Sequence, residues 1–135
     1  MSKSEARAAT ETIMVVDGDV LVRHAIADYL RSCGYGVIEA ASSDEAVIVL
    51  ADSKTALSAM LCDVKIGGTM NGFELARHAR DAHHGLEVVL AGTIEGSANA
   101  AADLCENGPH LARPYDPQGV VNHIKRLLAK AGRGK

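Results

Sequence analysis

Residues 56–72 read Ala-Leu-Ser-Ala-Met-Leu-Cys-Asp-Val-Lys-Ile-Gly-Gly-Thr-Met-Asn-Gly, and this stretch decides the fold. Its apolar part, residues 59–62, has the length and composition of a strand buried on both faces, and it ends at Asp63. In an open parallel sheet, ligands bind at the carboxyl ends of the strands. Asp63 is therefore a candidate functional residue, although an aspartate here is equally typical of a simple turn.

Strands and helices alternate along the rest of the chain. Apolar runs predict four further strands, at residues 12–16, 35–41, 86–91 and 110–113. Helical spacing of apolar residues, with caps and glycine stops, predicts five helices, at residues 20–32, 44–52, 73–82, 97–106 and 117–130. In the third of these helices, Phe73 and Ala76, with Ala79 or Arg80, are spaced for a packed face. This alternation predicts an α/β fold with one doubly wound parallel sheet, right-handed crossovers and helices on both sides.

The composition fits a single globular domain. The chain has 135 residues, of which 47% are hydrophobic, and this is enough for one core but not for two. We assign residues 1–11 to a disordered N-terminal extension, 12–130 to the domain and 131–135 to a flexible tail. Residues 1–11 contain no apolar stretch, so we expect no signal peptide, no membrane span and a cytoplasmic location.

The net charge and the cysteine content make some classes of function less probable. A net charge of −3 and the scarcity of aromatic residues argue against nucleic-acid binding. Cys33, Cys62 and Cys105 are widely spaced, and we interpret them as reduced core residues, with metal binding as a remote alternative. Because side chains alternate along a strand, Cys62 is expected to point away from the side of Asp63 and to be a core residue, not a nucleophile.

The predicted strand ends bring polar and small residues to one edge of the sheet. They are Asp17, Asp19, Asp63, Gly92, Thr93 and Arg113. Clustered carboxylates repel one another unless a cation lies among them. Oxygen ligands suit Mg²⁺, and a divalent cation beside an aspartate and an arginine can hold a transferring phosphoryl group. Asp63 is suited to be the nucleophile, since carboxylates form aspartyl-phosphates.

Over residues 12–130 the sequence resembles the receiver domain of bacterial two-component response regulators. The matching segments are Val15-Val16-Asp17, residues 63–72 with their Gly-Gly-x-Met-Asn-Gly ending, and Arg113-Pro114-Tyr115. The resemblance implies a flavodoxin-like sheet of five strands in the order 2-1-3-4-5 with five helices. It also implies that Asp63 is the phosphoacceptor of a signalling domain that is not an enzyme beyond its own phosphorylation and dephosphorylation.

The resemblance further implies a Mg²⁺ site made by Asp17, Asp63 and the backbone carbonyl of Lys65. The family usually has two adjacent acids after strand one, but here the second is Gly18. Asp19 is either a substitute ligand or a helix N-cap, and the capping role is the favoured one. We therefore expect Mg²⁺ to bind weakly.

Other positions also depart from the family pattern. Arg113 stands where the family has lysine, and we expect it to partner the phosphate or a carboxylate. The switch hydroxyl at the end of strand four aligns with Gly92, or with Thr93 if the register shifts by one, and the switch aromatic aligns with His110. Gly67 replaces a proline, so the loop after Asp63 is expected to be less restrained.

Three functional hypotheses follow. The first is a stand-alone response regulator, phosphorylated on Asp63 by a histidine kinase or a phosphotransfer protein of a phosphorelay, that docks on a downstream protein. The second is a phosphorylation-impaired pseudo-receiver that serves as an interaction module. The third is a flavin- or cobalamin-binding domain of the same architecture, which the absence of a phosphate cradle after strand one disfavours. A homodimer through helix four, strand five and helix five is left open.

Some residues carry a weaker signal. His78, His83 and His84 are candidate metal ligands, but adjacent histidines before Gly85 more often mark an exposed helix end. His24 is expected to be solvated. Residues 93–96 are interpreted as a mobile loop near the site or as a plain turn.

Overall fold

The computed structural model describes residues 11–107 and 116–132, and four strands alternate with five helices within them. The strands are β1 (Thr12–Val16), β2 (Gly36–Ala40), β3 (Leu57–Asp63) and β4 (Glu87–Ala91). The helices are α1 (Val20–Ser32), α2 (Ser43–Ala51), α3 (Gly72–Ala82), α4 (Ile94–Asn107) and α5 (Pro117–Lys130). All strand pairs are parallel and the order is β2-β1-β3-β4, as predicted. The predicted fifth strand lies outside the described residues.

The central strands are buried on both faces because their residues alternate between two cores. The first core lies beneath α1, α4 and α5 and includes Ile13, Val15, Ala59 and Leu61. The second lies beneath α2 and α3 and includes Met14, Val16, Met60 and Cys62. An aliphatic strand with apolar residues on both sides packs against the helices on both faces of the sheet. This confirms the prediction that residues 59–62 form a strand buried on both faces.

The apolar stripes of the helices match the predicted faces except in α3. Phe73 was expected to pack, but 63% of its surface is exposed. The buried stripe of α3 consists of Leu75, Ala76 and Ala79. Phe73 lies two residues before Leu75, so it points away from the sheet once Leu75 enters the core.

Helix α4 begins three residues earlier than predicted, at Ile94. The Thr93 hydroxyl accepts a hydrogen bond from the Gly96 N–H at 2.9 Å, which caps the first turn despite the low helix propensity of glycine. Residues 93–96 are therefore neither a mobile loop nor a plain turn. Further along, Ala98 and Ala101 are fully buried in the core shared with α1 and α5.

Two of the three cysteines are paired. Cys33, at the end of α1, and Cys105, near the end of α4, form a disulfide with their Cα atoms 5.7 Å apart. The expectation of three reduced cysteines was wrong because α1 and α4 pack side by side, which brings together two cysteines that are 72 residues apart in sequence. Cys62 is free and fully buried, and burial raises the pKa of its thiol to about 12, so it is a core residue as predicted.

His24 and His84 are exposed as expected, whereas His83 is not. His83 ends α3 half-buried, and its Nε2 donates to the Leu50 carbonyl at 2.7 Å. The imidazole of His24 is 60% exposed and lies 3.2 Å from Glu39 Oε2. As for membrane spans, none of the described helices combines the required length and apolar character.

Candidate functional site

The carboxyl ends of β1, β3 and β4 meet at a cleft of about 200 Å³. Val16 of β1 pairs with Cys62 of β3, and Ala91 of β4 pairs with Asp63 of β3. Asp17 and Gly92, the next residues after β1 and β4, therefore lie beside the end of β3. The cleft is lined by Asp17, Asp19, Val22, Asp63, Lys65, Gly92, Thr93, Ile94, Ser97 and Leu128. The residues predicted to meet at this edge of the sheet, where the structure describes them, therefore all line the cleft, whereas the candidate ligands His78, His83 and His84 lie outside it.

Asp63 is the last residue of β3 and is half-buried at this cleft. Its Oδ1 accepts a hydrogen bond from the Lys65 N–H at 3.1 Å. In the part of the chain described, no hydrogen bond is made to Oδ2. One carboxylate oxygen is thus held by the backbone, while the other remains available to a ligand in the cleft.

Asp17 differs from Asp63 in being buried, with 9% of its surface exposed. Its Oδ1 accepts from the Asp19 N–H at 2.9 Å. Burial raises the pKa of Asp17 to about 6, and the negative charges of Asp63 and Asp19 add to this rise. The Asp19 N–H and the Arg23 guanidinium oppose it. Asp17 therefore gains a proton far more readily than an ordinary aspartate.

Asp19 is the N-cap of α1. Its side chain accepts from the Leu21 N–H at 2.9 Å and from the Val22 N–H at 3.3 Å. The capping role that the sequence favoured is therefore observed, although the carboxylate also lines the cleft. Gly18, between the two acids, is exposed, and a Cβ at this position would meet only Ala41 O at 3.7 Å.

The loop after Asp63 is more restrained than Gly67 suggested. Its backbone is fastened to the first turn of α2 by three hydrogen bonds. These run from Ser43 N to Gly67 O at 2.9 Å, from Thr69 N to Asp44 Oδ2 at 3.2 Å and from Met70 N to Ser43 Oγ at 3.0 Å. The Asn71–Glu74 capping box then fixes the start of α3. Restraint comes from tertiary contacts and not from a proline.

Two glycines make this close packing feasible. Gly68 has a φ of +119° and lies against Ser43, so a side chain there would be both strained and obstructed. At Gly72 a Cβ would lie 2.6 Å from Val64 Cα, which is closer than such atoms can approach. The loop therefore holds the backbone of Lys65 in place beside Asp63.

The predicted switch position has no free hydroxyl of its own. Gly92 has no side chain, and the Thr93 hydroxyl caps α4. A different hydroxyl, that of Ser97, lines the cleft from the first turn of α4. Sequence reasoning missed Ser97 because it was expected at the start of the predicted helix, where a serine is an ordinary residue.

A cation near the site was also missed. Arg23 Nη1 donates to Asp17 O at 3.0 Å, and Arg23 Nε donates to Glu39 Oε1 at the same distance. The only sequence signal was an arginine one turn after the predicted N-cap, at Asp19. Arg113 and His110 lie outside the described residues, so the predicted role of Arg113 stays a prediction.

The donor set at the cleft fits a weakly held Mg²⁺ ion. Asp17 and Asp63 contribute two carboxylates to one cleft, and the negative charge of Asp63 helps to raise the pKa of Asp17. Among residues 11–107 and 116–132, no group of three or more His, Cys, Asp or Glu is arranged to hold a metal. Mg²⁺ commonly binds through one or two carboxylates and retains several waters, so two ligands suffice for weak binding.

The comparison with known families agrees with this fold and site. The model of the response regulator receiver domain matches residues 13–125. The chain therefore belongs to the response regulator receiver domain family, whose members are signalling domains. Because the chain belongs to this family, we no longer retain the hypothesis of a flavin- or cobalamin-binding domain.

The similar curated proteins include two transcriptional regulatory proteins. The phosphate regulon transcriptional regulatory protein PhoB of Pseudomonas aeruginosa is 29% identical over 127 residues, which cover 92% of this chain and 54% of PhoB. The transcriptional regulatory protein ResD of Bacillus subtilis is 27% identical and is matched over 48% of its length. The chain thus spans about half the length of these curated relatives.

Solved structures show the same architecture. A putative response regulator from Chloroflexus aurantiacus is 31% identical, with 89% of this chain and 98% of that chain covered and a TM-score of 0.56. A CheY-like receiver domain protein from Methanospirillum hungatei is 21% identical, with 91% and 97% covered and a TM-score of 0.58.

Proposed function

We propose that this receiver domain accepts a phosphoryl group on Asp63 from the phosphohistidine of a sensor histidine kinase or a phosphotransfer protein. The observation that carries the proposal is the half-buried carboxylate of Asp63 at the cleft, with Oδ1 held by the Lys65 N–H at 3.1 Å. Holding one oxygen orients the other toward a phosphorus atom that enters the cleft.

The reaction is a displacement at phosphorus. Asp63 Oδ2 attacks the phosphorus of the phosphoimidazole, the P–N bond breaks, and its electron pair leaves with the imidazole nitrogen, which takes up a proton. An acyl phosphate forms on Asp63. Its hydrolysis requires water to attack phosphorus, which releases inorganic phosphate and restores the carboxylate.

Three residues would hold Mg²⁺ in this proposal: Asp17 and Asp63 through carboxylates, and Lys65 through its backbone carbonyl. When bound, the ion neutralises negative charge on the transferring phosphoryl group. Asp17, with a pKa of about 6, adds to the demand for positive charge once it is ionised. Arg113 would contribute a guanidinium to the phosphate or to a carboxylate.

The phosphorylated domain would then transmit the signal by docking on a downstream protein. We place this step in the cytoplasm, and we expect the domain to bind neither nucleic acid nor a membrane. A homodimer through α4, the predicted fifth strand and α5 is part of the same proposal. Apolar residues of α4 and α5 share one core, and Glu95 of α4 pairs with Lys125 of α5 at 3.2 Å, so the two helices are held side by side.

A second candidate, the phosphorylation-impaired interaction module, is favoured by the missing carboxylate at Gly18 and the missing hydroxyl at Gly92. The two candidates differ in whether Asp63 accepts phosphate. The deciding experiment is incubation with acetyl phosphate or phosphoramidate, with and without Mg²⁺, followed by intact mass measurement.

We expect the chain to gain the mass of one phosphoryl group, which base or hydroxylamine removes. Asp63→Asn should abolish the gain completely because it removes the attacking oxygen, and it should not lower the stability of the fold. Asp81→Asn, an exposed change on α3 with the same effect on net charge, is the matched control and should react like the unmodified chain. If neither these donors nor a cognate kinase gives an adduct, the interaction module is the better reading.

A further inference from the structure

Ser97 is a polar residue of the cleft with no role in the reaction described above. It lies in the first turn of α4 and lines the cleft together with Asp17, Asp63 and Gly92. Only 8% of its surface is exposed, although serine is usually a surface residue. Within the residues that the structure describes, its hydroxyl makes no hydrogen bond.

A buried hydroxyl of this kind is suited to a ligand. It has lost most of its contact with water, and it gains a hydrogen bond when an acceptor enters the cleft. A hydroxyl carries one donor and can therefore serve an anionic oxygen, to which hydrogen bonds are stronger than to a neutral group.

Thr93, the other hydroxyl of the cleft, is already engaged. Its hydroxyl accepts from the Gly96 N–H at 2.9 Å, and its carbonyl accepts from the Ser97 N–H at 3.0 Å. Thr93 is also exposed, so water competes with any ligand for the hydrogen bond that its hydroxyl can still donate. Its position is that of a helix cap.

The packing of α4 holds Ser97 at the cleft. Its neighbour Ala98 and the next turn's Ala101 are both fully buried in the core beneath α1 and α5. Small residues allow α4 to approach this core closely, and they fix the rotation of its first turn. Ser97 is thereby presented in one orientation, which is the condition for a pre-organised donor.

We propose that the Ser97 hydroxyl donates a hydrogen bond to an oxygen of the phosphoryl group on Asp63, in place of the hydroxyl that Gly92 lacks. This inference rests on the proposed function, because it requires a phosphoryl group at Asp63. It moves the phosphoryl-binding hydroxyl from the end of β4 to the first turn of α4.

The test uses beryllium fluoride, which forms a stable mimic of the acyl phosphate on a carboxylate, titrated into the full chain with Mg²⁺ and followed by ¹⁹F NMR. We expect Ser97→Ala to weaken binding about tenfold, which corresponds to roughly 1.4 kcal/mol. Ser97→Thr, which keeps the hydroxyl, should restore most of the affinity. Asn99→Ala is the matched control, since Asn99 is an exposed polar residue of the same helix outside the cleft.

A second variant tests the substitution for Gly92 directly. There is room for a side chain at Gly92, where a Cβ would make an ordinary contact of 3.5 Å with Val64. Gly92→Ser should raise the affinity by less than twofold in the unmodified chain, where Ser97 already serves, but about tenfold in the Ser97→Ala background. Such non-additivity is the signature of two groups that fill one role.

The outcomes separate this inference from the proposed function. If the unmodified chain binds beryllium fluoride and Ser97→Ala binds equally well, Ser97 has no phosphoryl-binding role and the phosphoacceptor proposal stands. If Ser97→Thr is as weak as Ser97→Ala, packing and not the hydroxyl matters, and the inference is also overturned. No binding by the unmodified chain would overturn both.

Discussion

The two ends of the sheet are held together in different ways. At the cleft, Asp17 and Asp63 face one another across an open site. At the opposite end, where α1 and α4 finish, Cys33 is joined to Cys105 by a disulfide, and the buried Tyr35 hydroxyl donates to Leu104 O at 2.6 Å. The far end is apolar and covalently linked, whereas the cleft end is charged and repulsive. Stability is thus supplied away from the chemistry, and this allows the cleft to lose a carboxylate and a hydroxyl without loss of the fold.

The largest expected effect belongs to the far end. Cys105→Ala removes a link across 72 residues, and loop-closure entropy predicts a loss of roughly 4 kcal/mol in the free energy of unfolding. Urea denaturation without reductant measures it. With reductant, the unmodified chain should fall nearly to the level of the variant, since both then lack the link. If reductant leaves the unmodified chain unchanged, the disulfide does not stabilise the fold and the comparison fails.

At the cleft end, the next effect concerns metal binding. Gly18→Asp restores a carboxylate beside Asp17, in open space, and should tighten Mg²⁺ binding about tenfold, or roughly 1.4 kcal/mol. Amide chemical shifts titrated with Mg²⁺ report the affinity.

Gly67→Asp is the matched control for this change. It adds the same charge at an exposed glycine outside the cleft, where a Cβ meets no atom within 4 Å. It should leave Mg²⁺ affinity unchanged. An equal gain from both variants would mean that general charge and not the cleft attracts the ion.

The smallest expected effect is that of Asp17→Asn, which should raise the free energy of unfolding, whereas Cys105→Ala should lower it. Because the pKa of Asp17 is raised from 3.8 to about 6, the folded state binds its proton more tightly than the unfolded state does. Stability from this group is therefore full below pH 4 and is lost as the pH rises to about 6. At pH 7, Asp17→Asn should raise the free energy of unfolding by about 1 kcal/mol, a value reduced for solvent screening.

This gain should largely disappear at about pH 3, where Asp17 is mostly protonated in both the folded and the unfolded state. Denaturation curves at the two pH values give the difference between the variant and the unmodified chain. Asp81→Asn, at an exposed position, should show no such pH dependence. A variant that is less stable at pH 7 would contradict the assigned burial cost.

Sequence patterns predicted the parts of this structure that depend on local order. The strand in residues 59–62 and the α1 and α5 stripes follow from periodicity, and Asp63 was identified because it ends a strand. Phe73 was assigned to the wrong side because helical spacing gives a stripe but not which of two adjacent apolar stripes enters the core. Ser97 was missed because its significance arises only when α4 lies against the cleft.

Two further features were not predicted from the sequence because they also depend on contacts between distant parts of the chain. The Cys33–Cys105 link joins residues far apart in sequence, and no local signal marks such a pair. Arg23 was not recognised because its contact with the Asp17 carbonyl depends on how α1 returns over β1. Local preferences are visible in a sequence, whereas contacts made across the fold require the packing itself.

The fastening of the loop after Asp63 to α2 has an evolutionary consequence. Ser43 and Gly68 are 25 residues apart, yet a side chain at position 68 would collide with the Ser43 hydroxyl. Neither residue is free to drift alone, because Ser43 also receives the Met70 N–H. Position 68 should therefore stay glycine in descendants of this sequence whatever residue occupies position 43, because its positive φ strains any side chain there. This constraint lies outside the acceptor aspartate and its immediate neighbours.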